Sequence, residues 1–281
     1  MNKQNGLNSK ADFISRKTWE AKRKVLEMCI GAQLGHLTSA YSCAEIVAVL
    51  YYEVMRHNPQ NPTWVERDRF IMSKNHGSLM TYPILSDLGY FPESELDTFM
   101  QDGTRLGGHS KLILDGVDYA GGSLGIGLGV GAGLAYAAKM DSGDWLTFVL
   151  IGDGECYEGS IWEAAMFAAH NQLGNLIAIV DRNRLCCTDF TEKILRLESL
   201  SDKWRAFGWD TLEIDGHNVE QILSSFEGIR NVKKEKPFVI IANTTKGNGI
   251  DFMSDAPLFH GIAPAGDDIL RARVQIQEAK P

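Results

Sequence analysis

The chain has 281 residues, of which 44% are hydrophobic and 23% charged, and it carries a formal net charge of -8 at pH 7. This composition is typical of a soluble globular protein, and the acidic balance argues against nucleic acid or an anionic membrane as a partner, because both would repel it. No apolar stretch reaches the ~20 residues that a membrane-spanning helix needs, and residues 1–17 lack the apolar core of a signal peptide, so we expect a cytoplasmic protein.

The first part of the chain alternates helical patterns with one short strand. Apolar residues at helical spacing predict a helix over residues 18–30. Ser42 and Glu45 are spaced as a capping box, which predicts a helix that begins there and ends near Met55, before Pro59 and Pro62. Residues 69–73 are predicted to form a buried strand, and residues 79–88 the next helix.

The second part of the chain carries longer apolar runs. The small residues of 124–138 predict a helix that packs closely against a neighbour, and the continuous apolar run 145–151 predicts a strand of a parallel sheet. A helix over 160–173 follows, then strands at 176–180, 211–214 and 238–242, with one helix ending at Gly208 and another beginning near Asn218. This alternation predicts a doubly wound, mostly parallel α/β sheet flanked by helices, in a single domain over residues 1–281.

A strand, Gly-Asp-Gly turn, helix and second strand lie between Ile151 and Asp189. Asp153 follows the first strand and Asn183 the second, so both should lie at the carboxyl edge of the sheet, where ligands of such folds bind. Two oxygen ligands there suit Mg2+, which leaves its other positions to phosphate and water. Gly152 and Gly154 have no side chain that would keep a diphosphate from the backbone. Alone, a Gly-Asp-Gly turn is common, and the downstream asparagine makes the pattern specific.

Gly-Asp-Gly followed by Asn about thirty residues later resembles the thiamine-diphosphate-binding motif, and the residues around it resemble transketolases. The latter residues are Glu155, Glu158, Gly159, Trp162, Glu163, Ala164, Asn175 and Leu176. The resemblance implies a thiamine-diphosphate-binding fold of the diphosphate-binding type. It further implies that Asp153 and Asn183 bind Mg2+ through side chains and Leu185 through its carbonyl, while Gly154 and Asn183 contact the diphosphate.

The resemblance extends over nearly the whole chain, through several short motifs. They are Gly35-His36, residues 58–62, residues 67–70, His76-Gly77-Ser78, Gly108-His109, residues 121–125, residues 246–249 and His260-Gly261. It implies catalytic roles for His36, His109 and His260. It also implies cofactor contacts from His76, Gly122, Ser123, Leu124, Lys246 and His260.

Histidines suit ketol transfer because an imidazole can donate or accept a proton near neutral pH, and the reaction moves protons at a hydroxyl and a carbonyl oxygen. Each of these four histidines lies beside a glycine in a predicted loop. His57 and His217 have no such support and are assigned no role, and His170, inside a predicted helix, is interpreted as a packing or surface residue.

The chain departs from the family pattern at several positions. Thr38 replaces a usual glycine, Gly121 a common threonine, and Ile126 a usual glutamine, and residues 186–189 differ from the sequence usual in split transketolases. The metal ligands are retained, whereas the substrate pocket is affected, so a ketose other than the common pentose phosphates is compatible with the sequence.

Transketolases also contain pyrimidine-binding and C-terminal domains, one of which supplies a glutamate that activates the cofactor. The chain ends at Pro281 without the length for them, so we expect a partner chain that carries both domains, in an α2β2 heterotetramer that transfers a two-carbon ketol unit from a ketose (phosphate) to an aldose. One alternative is the α chain of a 2-oxoacid dehydrogenase, which lacks these histidine motifs. Another is a non-catalytic cofactor-binding homologue.

Two other classes of site are not expected. The five cysteines are irregularly spaced without a repeated C-x-x-C, which argues against structural zinc, and the adjacent Cys186 and Cys187 are interpreted as reduced thiols in preference to a redox pair. A different nucleotide-binding domain would need a Walker loop or a strand–GxGxxG–helix unit, and the sequence offers neither.

Overall fold

The computed structural model describes residues 3–230 and 235–281, with side chains from residue 6 onward. Its centre is a sheet of five strands: Arg69–Met72 (β1), Thr147–Gly152 (β2), Leu176–Arg182 (β3), Asp210–Asp215 (β4) and Phe238–Asn243 (β5). Their order is β1-β2-β3-β5-β4, and every adjacent pair is parallel. β2 and β3 are buried at every position, as their uninterrupted apolar sequences require in the middle of a parallel sheet.

Helices cover both faces of the sheet. They are Lys3–Ala32 (α1), Leu37–Ser42 (α2), Ala44–Val49 (α3), Thr81–Asp87 (α4), Gly127–Met140 (α5), Gly159–His170 (α6), Thr191–Ile194 (α7), Leu200–Ala206 (α8), Val219–Ser225 (α9) and Asp267–Glu278 (α10). A π-helical turn, Leu50–Val54, continues α3, and short 3-10 turns lie at Asn75–Met80, Glu93–Thr98, Gly154–Tyr157, Asp251–Met253 and Pro257–Phe259.

The two faces of the sheet carry separate apolar cores. Ile177 and Ile179 of β3 lie in the core that includes α1, α3 and α9, while Ala178 and Val180 lie in the core that includes α5, α6 and α8. Successive residues of a strand point to opposite faces, so β3 is covered by helices on both sides. This is the predicted doubly wound arrangement, and the sheet is parallel throughout.

The predicted strands are confirmed to within two residues at either end, and most of the predicted helices are found. Gly131 of α5 faces β2 so closely that an added Cβ would lie 2.4 Å from Val149 Cγ2, which agrees with the expected close packing. Asn218 caps α9 by accepting a hydrogen bond from the Gln221 N–H at 3.0 Å. The helix predicted from residue 18 in fact begins at Lys3, and α10 was not predicted.

The predicted capping box at Ser42 and Glu45 is wrong. Ser42 is the last residue of α2, and α3 begins after Cys43 without a side-chain cap. The Ser42 hydroxyl donates instead to Asp181 Oδ2 at 2.6 Å. Glu45 accepts from Lys22 at 2.7 Å, so both side chains have tertiary partners that replace the local ones.

None of the helices in the described part of the chain combines the length and the apolar character needed to cross a membrane.

Candidate active site

The residues that follow four adjacent strands meet at one edge of the sheet. Gly152 of β2 pairs with Asp181 of β3, and Asp181 pairs with Ala242 of β5, so the carboxyl ends of these strands are level. The residues just beyond the four strand ends include Lys74, Asp153, Asn183 and Lys246. As expected, Asp153 and Asn183 follow neighbouring parallel strands at this edge.

Asp153 is held by three hydrogen bonds. Its Oδ1 accepts from the Gly154 N–H at 2.8 Å, and its Oδ2 accepts from the Arg184 N–H at 2.6 Å and from Arg182 Nη1 at 2.8 Å. Burial raises the pKa of the Asp153 carboxyl, against the lowering effect of Arg182 and of the Arg184 N–H. A divalent cation at this carboxylate would favour its ionised form.

Asn183 is oriented by Asp181. Its Nδ2 donates to Asp181 Oδ2 at 3.0 Å, which leaves Oδ1 on the other side of the carboxamide, where it accepts from the Leu185 N–H at 3.1 Å. Asp181 is completely buried and also accepts from Lys74, Ser42 and Thr244. Burial acts to raise the pKa of the Asp181 carboxyl, but Lys74 and the hydrogen bonds from Ser42 and Thr244 lower it overall, so Asp181 is an ionised support for Asn183.

The oxygen atoms at this edge have capacity left for a cation. A carboxylate has about four lone-pair sites, two on each oxygen, and an amide oxygen has two. The Oδ1 atoms of Asp153 and Asn183 each accept one hydrogen bond, so each retains one free lone-pair site. In the described residues no group of three or more His, Cys, Asp and Glu side chains could hold a metal ion. A site here would therefore consist of one carboxylate with amide oxygens, Leu185 included, which suits Mg2+ completed by phosphate and water.

Of the two glycines that flank Asp153, Gly154 is in the tighter space. An added Cβ at Gly154 would lie 2.7 Å from the Cys186 Sγ, so a larger residue would displace that thiol. A Cβ at Gly152 would make ordinary contacts of 3.8 Å with Lys74, so the backbone there is not sterically confined.

All five cysteines are free thiols, so the adjacent Cys186 and Cys187 form no disulfide in this structure.

Glu155 joins three parts of the site. This buried carboxylate accepts from the Gly125 N–H at 2.8 Å and from the Gly152 N–H at 3.0 Å, and also from the Ser73 hydroxyl after β1. In the sequence, Glu155 is noticeable only through the family resemblance, which implies no role for it. Its contacts connect the glycine-rich loop 121–125 to the Gly-Asp-Gly turn. In that loop Gly122 and Ser123 are exposed and Leu124 is half-buried, so all three are available for a ligand.

Four histidines that are far apart in the sequence form one cluster. The His36 ring centroid lies 5.4 Å from that of His76, 5.9 Å from that of His109 and 5.2 Å from that of His260. His76 and His260 are 5.3 Å apart. His109 is the exposed member and the others are half-buried. The structure thus brings together all four histidines that the sequence selected.

The electrostatics of this histidine cluster favour neutral rings. Burial, with His109 and Lys246 nearby, lowers the pKa of His36 to about 4, and burial with Lys246 lowers the pKa of His260 to about 4. Burial also lowers the pKa of His109, and that of His76 well below its usual value. At neutral pH these rings are therefore hydrogen-bond donors and acceptors without a charge.

Lys246 reaches this cluster from the loop after β5. Its Nζ lies 2.7 Å from His260 Nδ1, and burial together with Lys74 lowers its pKa to about 8. Because the ammonium donates, Nδ1 of His260 accepts, and the ring proton is on Nε2. His260 therefore offers an N–H donor on the side away from Lys246.

Two further residues support this loop. His217, to which the sequence assigned no role, accepts from the Thr245 N–H at 2.8 Å. The Thr38 carbonyl accepts from the Gly247 N–H at 3.0 Å, and its hydroxyl donates to the Phe259 carbonyl at 2.9 Å. Thr38, a departure from the family pattern, thus connects the loops of Lys246 and His260.

The two remaining histidines lie outside the cluster. His57 contacts Tyr51 and Tyr90, and His170 is exposed at the end of α6.

Comparisons with known proteins identify the family of the chain. Residues 18–278 match the family described as transketolase, thiamine diphosphate binding domain. Over 257 residues the chain is 40% identical to a protein of Phocaeicola vulgatus named as one subunit of an apulose-4-phosphate transketolase, with 92% of this chain and 91% of that protein covered. It is 41% identical over 247 residues to the 6-deoxy-6-sulfo-D-fructose transketolase subunit SqwG of a Clostridium species, with 88% and 87% covered.

Among solved structures, transketolase from Campylobacter jejuni superposes with a TM-score of 0.87 at 31% identity. The match covers 99% of this chain and 43% of that one, so the chain spans less than half the length of that transketolase.

Proposed function

Because this chain belongs to the family of transketolase thiamine-diphosphate-binding domains, we propose that it is the diphosphate-binding subunit of a split transketolase. With a partner subunit it would bind thiamine diphosphate and Mg2+ and transfer a two-carbon ketol unit from a ketose to an aldose. The observation that carries this proposal is the single sheet edge at which Asp153 and Asn183 stand beside the cluster of four histidines and Lys246.

The metal and the diphosphate would be held at the β2 and β3 end of the edge. Asp153 and Asn183 would present their Oδ1 atoms to Mg2+, and the Leu185 carbonyl belongs to the same turn. The exposed Gly122 and Ser123 and the half-buried Leu124 offer backbone N–H groups. Gly154 has no side chain that would keep a diphosphate from the backbone. When bound, thiamine diphosphate supplies the carbanion-stabilising chemistry that ketol transfer needs.

The histidine cluster would serve the sugar. His36, His109 and His260 are neutral at working pH, so each can donate to one sugar oxygen or accept from one hydroxyl without the desolvation cost of a buried cation. Lys246 fixes the tautomer of His260, and with it the direction of its donor. The His76 ring lies 5.4 Å from that of His36 and 5.3 Å from that of His260, and we propose that it contacts the cofactor.

A partner chain is part of the proposal. Two relatives of nearly the same length have names that describe them as transketolase subunits, and the C. jejuni transketolase is more than twice as long as the matched region. We propose that the remaining domains are on a second polypeptide, most simply in an α2β2 assembly. The names of these relatives also suggest ketoses that carry a phosphate or sulfonate group as substrates to test.

Reconstitution tests the function. The chain is assayed alone and with the product of a neighbouring reading frame that encodes the missing domains, using ketoses with terminal phosphate or sulfonate and a panel of aldoses. We expect ketol transfer from the pair with Mg2+ and thiamine diphosphate, and none from either chain alone. Full activity of the isolated chain would refute the split arrangement. Oxidation of a 2-oxoacid with lipoamide by the pair would favour the dehydrogenase alternative, and cofactor binding without turnover would favour a non-catalytic homologue.

A further inference from the structure

Arg182 is a buried cation in the middle of the candidate metal site. It is the last residue of β3 and lies between Asp181 and Asn183 in the sequence, yet its own side chain points to neither. The side chain is only 3% exposed. Its guanidinium contacts Asp153, Thr191, Glu192 and Glu198.

The guanidinium uses its two ends for different partners. Nη1 donates to Asp153 Oδ2 at 2.8 Å and to the buried Thr191 Oγ1 at 2.9 Å. Nη2 donates to Glu192 Oε1 at 3.0 Å and to Glu198 Oε1 at 2.7 Å. The rigid, planar guanidinium of Arg182 thus joins the Asp153 carboxylate to the segment 191–198.

These contacts determine which oxygen of Asp153 is open. Arg182 and the Arg184 N–H both bind Oδ2, so the remaining lone pair is on Oδ1. Without Arg182, the side chain could rotate, and a carboxylate that is 1% exposed would lack a counter-charge.

The charge of Arg182 need not repel a divalent cation. Glu192 and Glu198 sit on its far side at ion-pair distance, so one guanidinium faces three carboxylates, including Asp153. The group as a whole has an excess of negative charge, which complements a divalent ion at Oδ1 of Asp153.

We propose that Arg182 is a positioning residue for the metal site: it fixes Asp153 with Oδ1 toward the divalent ion and couples ion binding to the order of segment 191–198. This inference rests on the proposed function, because it takes Asp153 as the metal ligand. Groups that orient a metal ligand typically change metal affinity 10–100-fold when removed.

The test measures Mn2+ binding directly, by the electron paramagnetic resonance signal of the free ion, in the full chain with thiamine diphosphate and without a sugar, because the proposed site needs phosphate oxygens to complete the coordination of the ion. Arg182→Met should raise the Kd for Mn2+ by roughly 10–100-fold, and Arg182→Lys should recover part of the loss, since it keeps the charge without the planar fork. Arg205→Met is the matched control: it removes an exposed arginine of α8 that pairs with Asp202, and its Kd should equal that of the wild type.

A second readout tests the coupling. In the wild type, Mn2+ should slow amide hydrogen exchange in residues 191–198, and in Arg182→Met this protection should disappear, whereas a purely structural role would leave it in place. Circular dichroism verifies that each variant is folded. Should Arg182→Met fail to fold, Arg182→Lys decides the question.

Wild-type affinity and wild-type protection in either folded Arg182 variant would overturn the inference. Failure of the proposed metal site has a different signature: the wild type would bind no Mn2+, or Asp153→Ala would bind it as tightly as the wild type.

Discussion

The Nε2 atom of His217 accepts a hydrogen bond of 2.8 Å from the backbone N–H of Thr245. Because Nε2 accepts, the neutral ring carries its proton on Nδ1, which lies 2.9 Å from Oε2 of the buried Glu45. Thr245 directly precedes Lys246, whose Nζ contacts His260. A histidine outside the cluster therefore fixes the start of the loop that carries Lys246.

We expect His217→Ala to lower kcat/KM of the reconstituted enzyme roughly fivefold, since it removes the hydrogen bond to the Thr245 N–H, worth about 1 kcal/mol, from a loop that must hold Lys246 in place. Steady-state kinetics at saturating cofactor measure the effect. His170→Ala, which removes an exposed imidazole at the end of α6, is the control and should have no effect. Equal kinetics for the two variants would show that the loop keeps its position without His217.

Much of the sheet edge could be predicted from the sequence because the information is local. β2 and β3 are uninterrupted apolar runs, and the polar residues that end them must lie at the edge where parallel strands finish. Asp153 and Asn183 were placed in this way. The clustering of His36, His76, His109 and His260 came from the family resemblance, since no spacing in the sequence brings four separate loops together.

The errors and omissions involve residues whose partners are distant in the chain. Ser42 and Glu45 have the local pattern of a capping box, but hydrogen bonds to Asp181 and Lys22 replace it. Arg182 is the last residue of a strand, where an arginine side chain is ordinarily exposed to solvent. It is buried here because Glu192 and Glu198 pair with it, and these two residues reach it only after the segment that follows β3 has folded back. Tertiary contacts of this kind leave no periodic signal in the sequence.

Asp153→Ala should abolish Mg2+-dependent binding of thiamine diphosphate. The variant lacks the one carboxylate of the proposed site, and Arg182 Nη1 loses its hydrogen bond to Asp153. Removal of a group that only orients a metal ligand typically lowers metal affinity 10–100-fold, so removal of the ligand itself should cost at least as much. Isothermal titration calorimetry with and without Mg2+ measures it. Asp202→Ala, which removes an exposed carboxylate of α8, is the control. Unchanged cofactor affinity in Asp153→Ala would refute the metal assignment.

His109→Ala should slow turnover far more than it weakens cofactor binding. His109 is the exposed member of the cluster, 5.9 Å from His36, and is therefore open to a substrate. Loss of a proton donor or acceptor typically costs about 10²–10⁴ in rate, whereas the cofactor Kd should change only a few-fold. Kinetics and calorimetry on the same variant separate the two effects. A collapse in cofactor affinity at normal turnover would place His109 at the cofactor instead.

The stability of the chain without cofactor should fall as the pH drops from about 6.5 to about 4. Burial lowers the pKa of His36 and of His260 to about 4 in the folded chain, while the unfolded value is about 6.5. In this interval the unfolded state binds more protons than the folded state, so the free energy of unfolding rises with pH. The contribution is fully present above about pH 6.5 and is lost toward pH 4.

Urea unfolding at a series of pH values measures this dependence. The titratable groups that face these two rings are Lys246, Lys74, His76 and His109. A positive charge on any of them disfavours protonation of His36 and His260. His260→Asn removes one of the titrating rings, so its unfolding free energy should depend less steeply on pH in this interval. His170→Asn, at an exposed position, should retain the wild-type slope. A wild-type slope in His260→Asn would mean that His260 is not held neutral by its surroundings, and the assignment of neutral rings to the cluster would then be wrong.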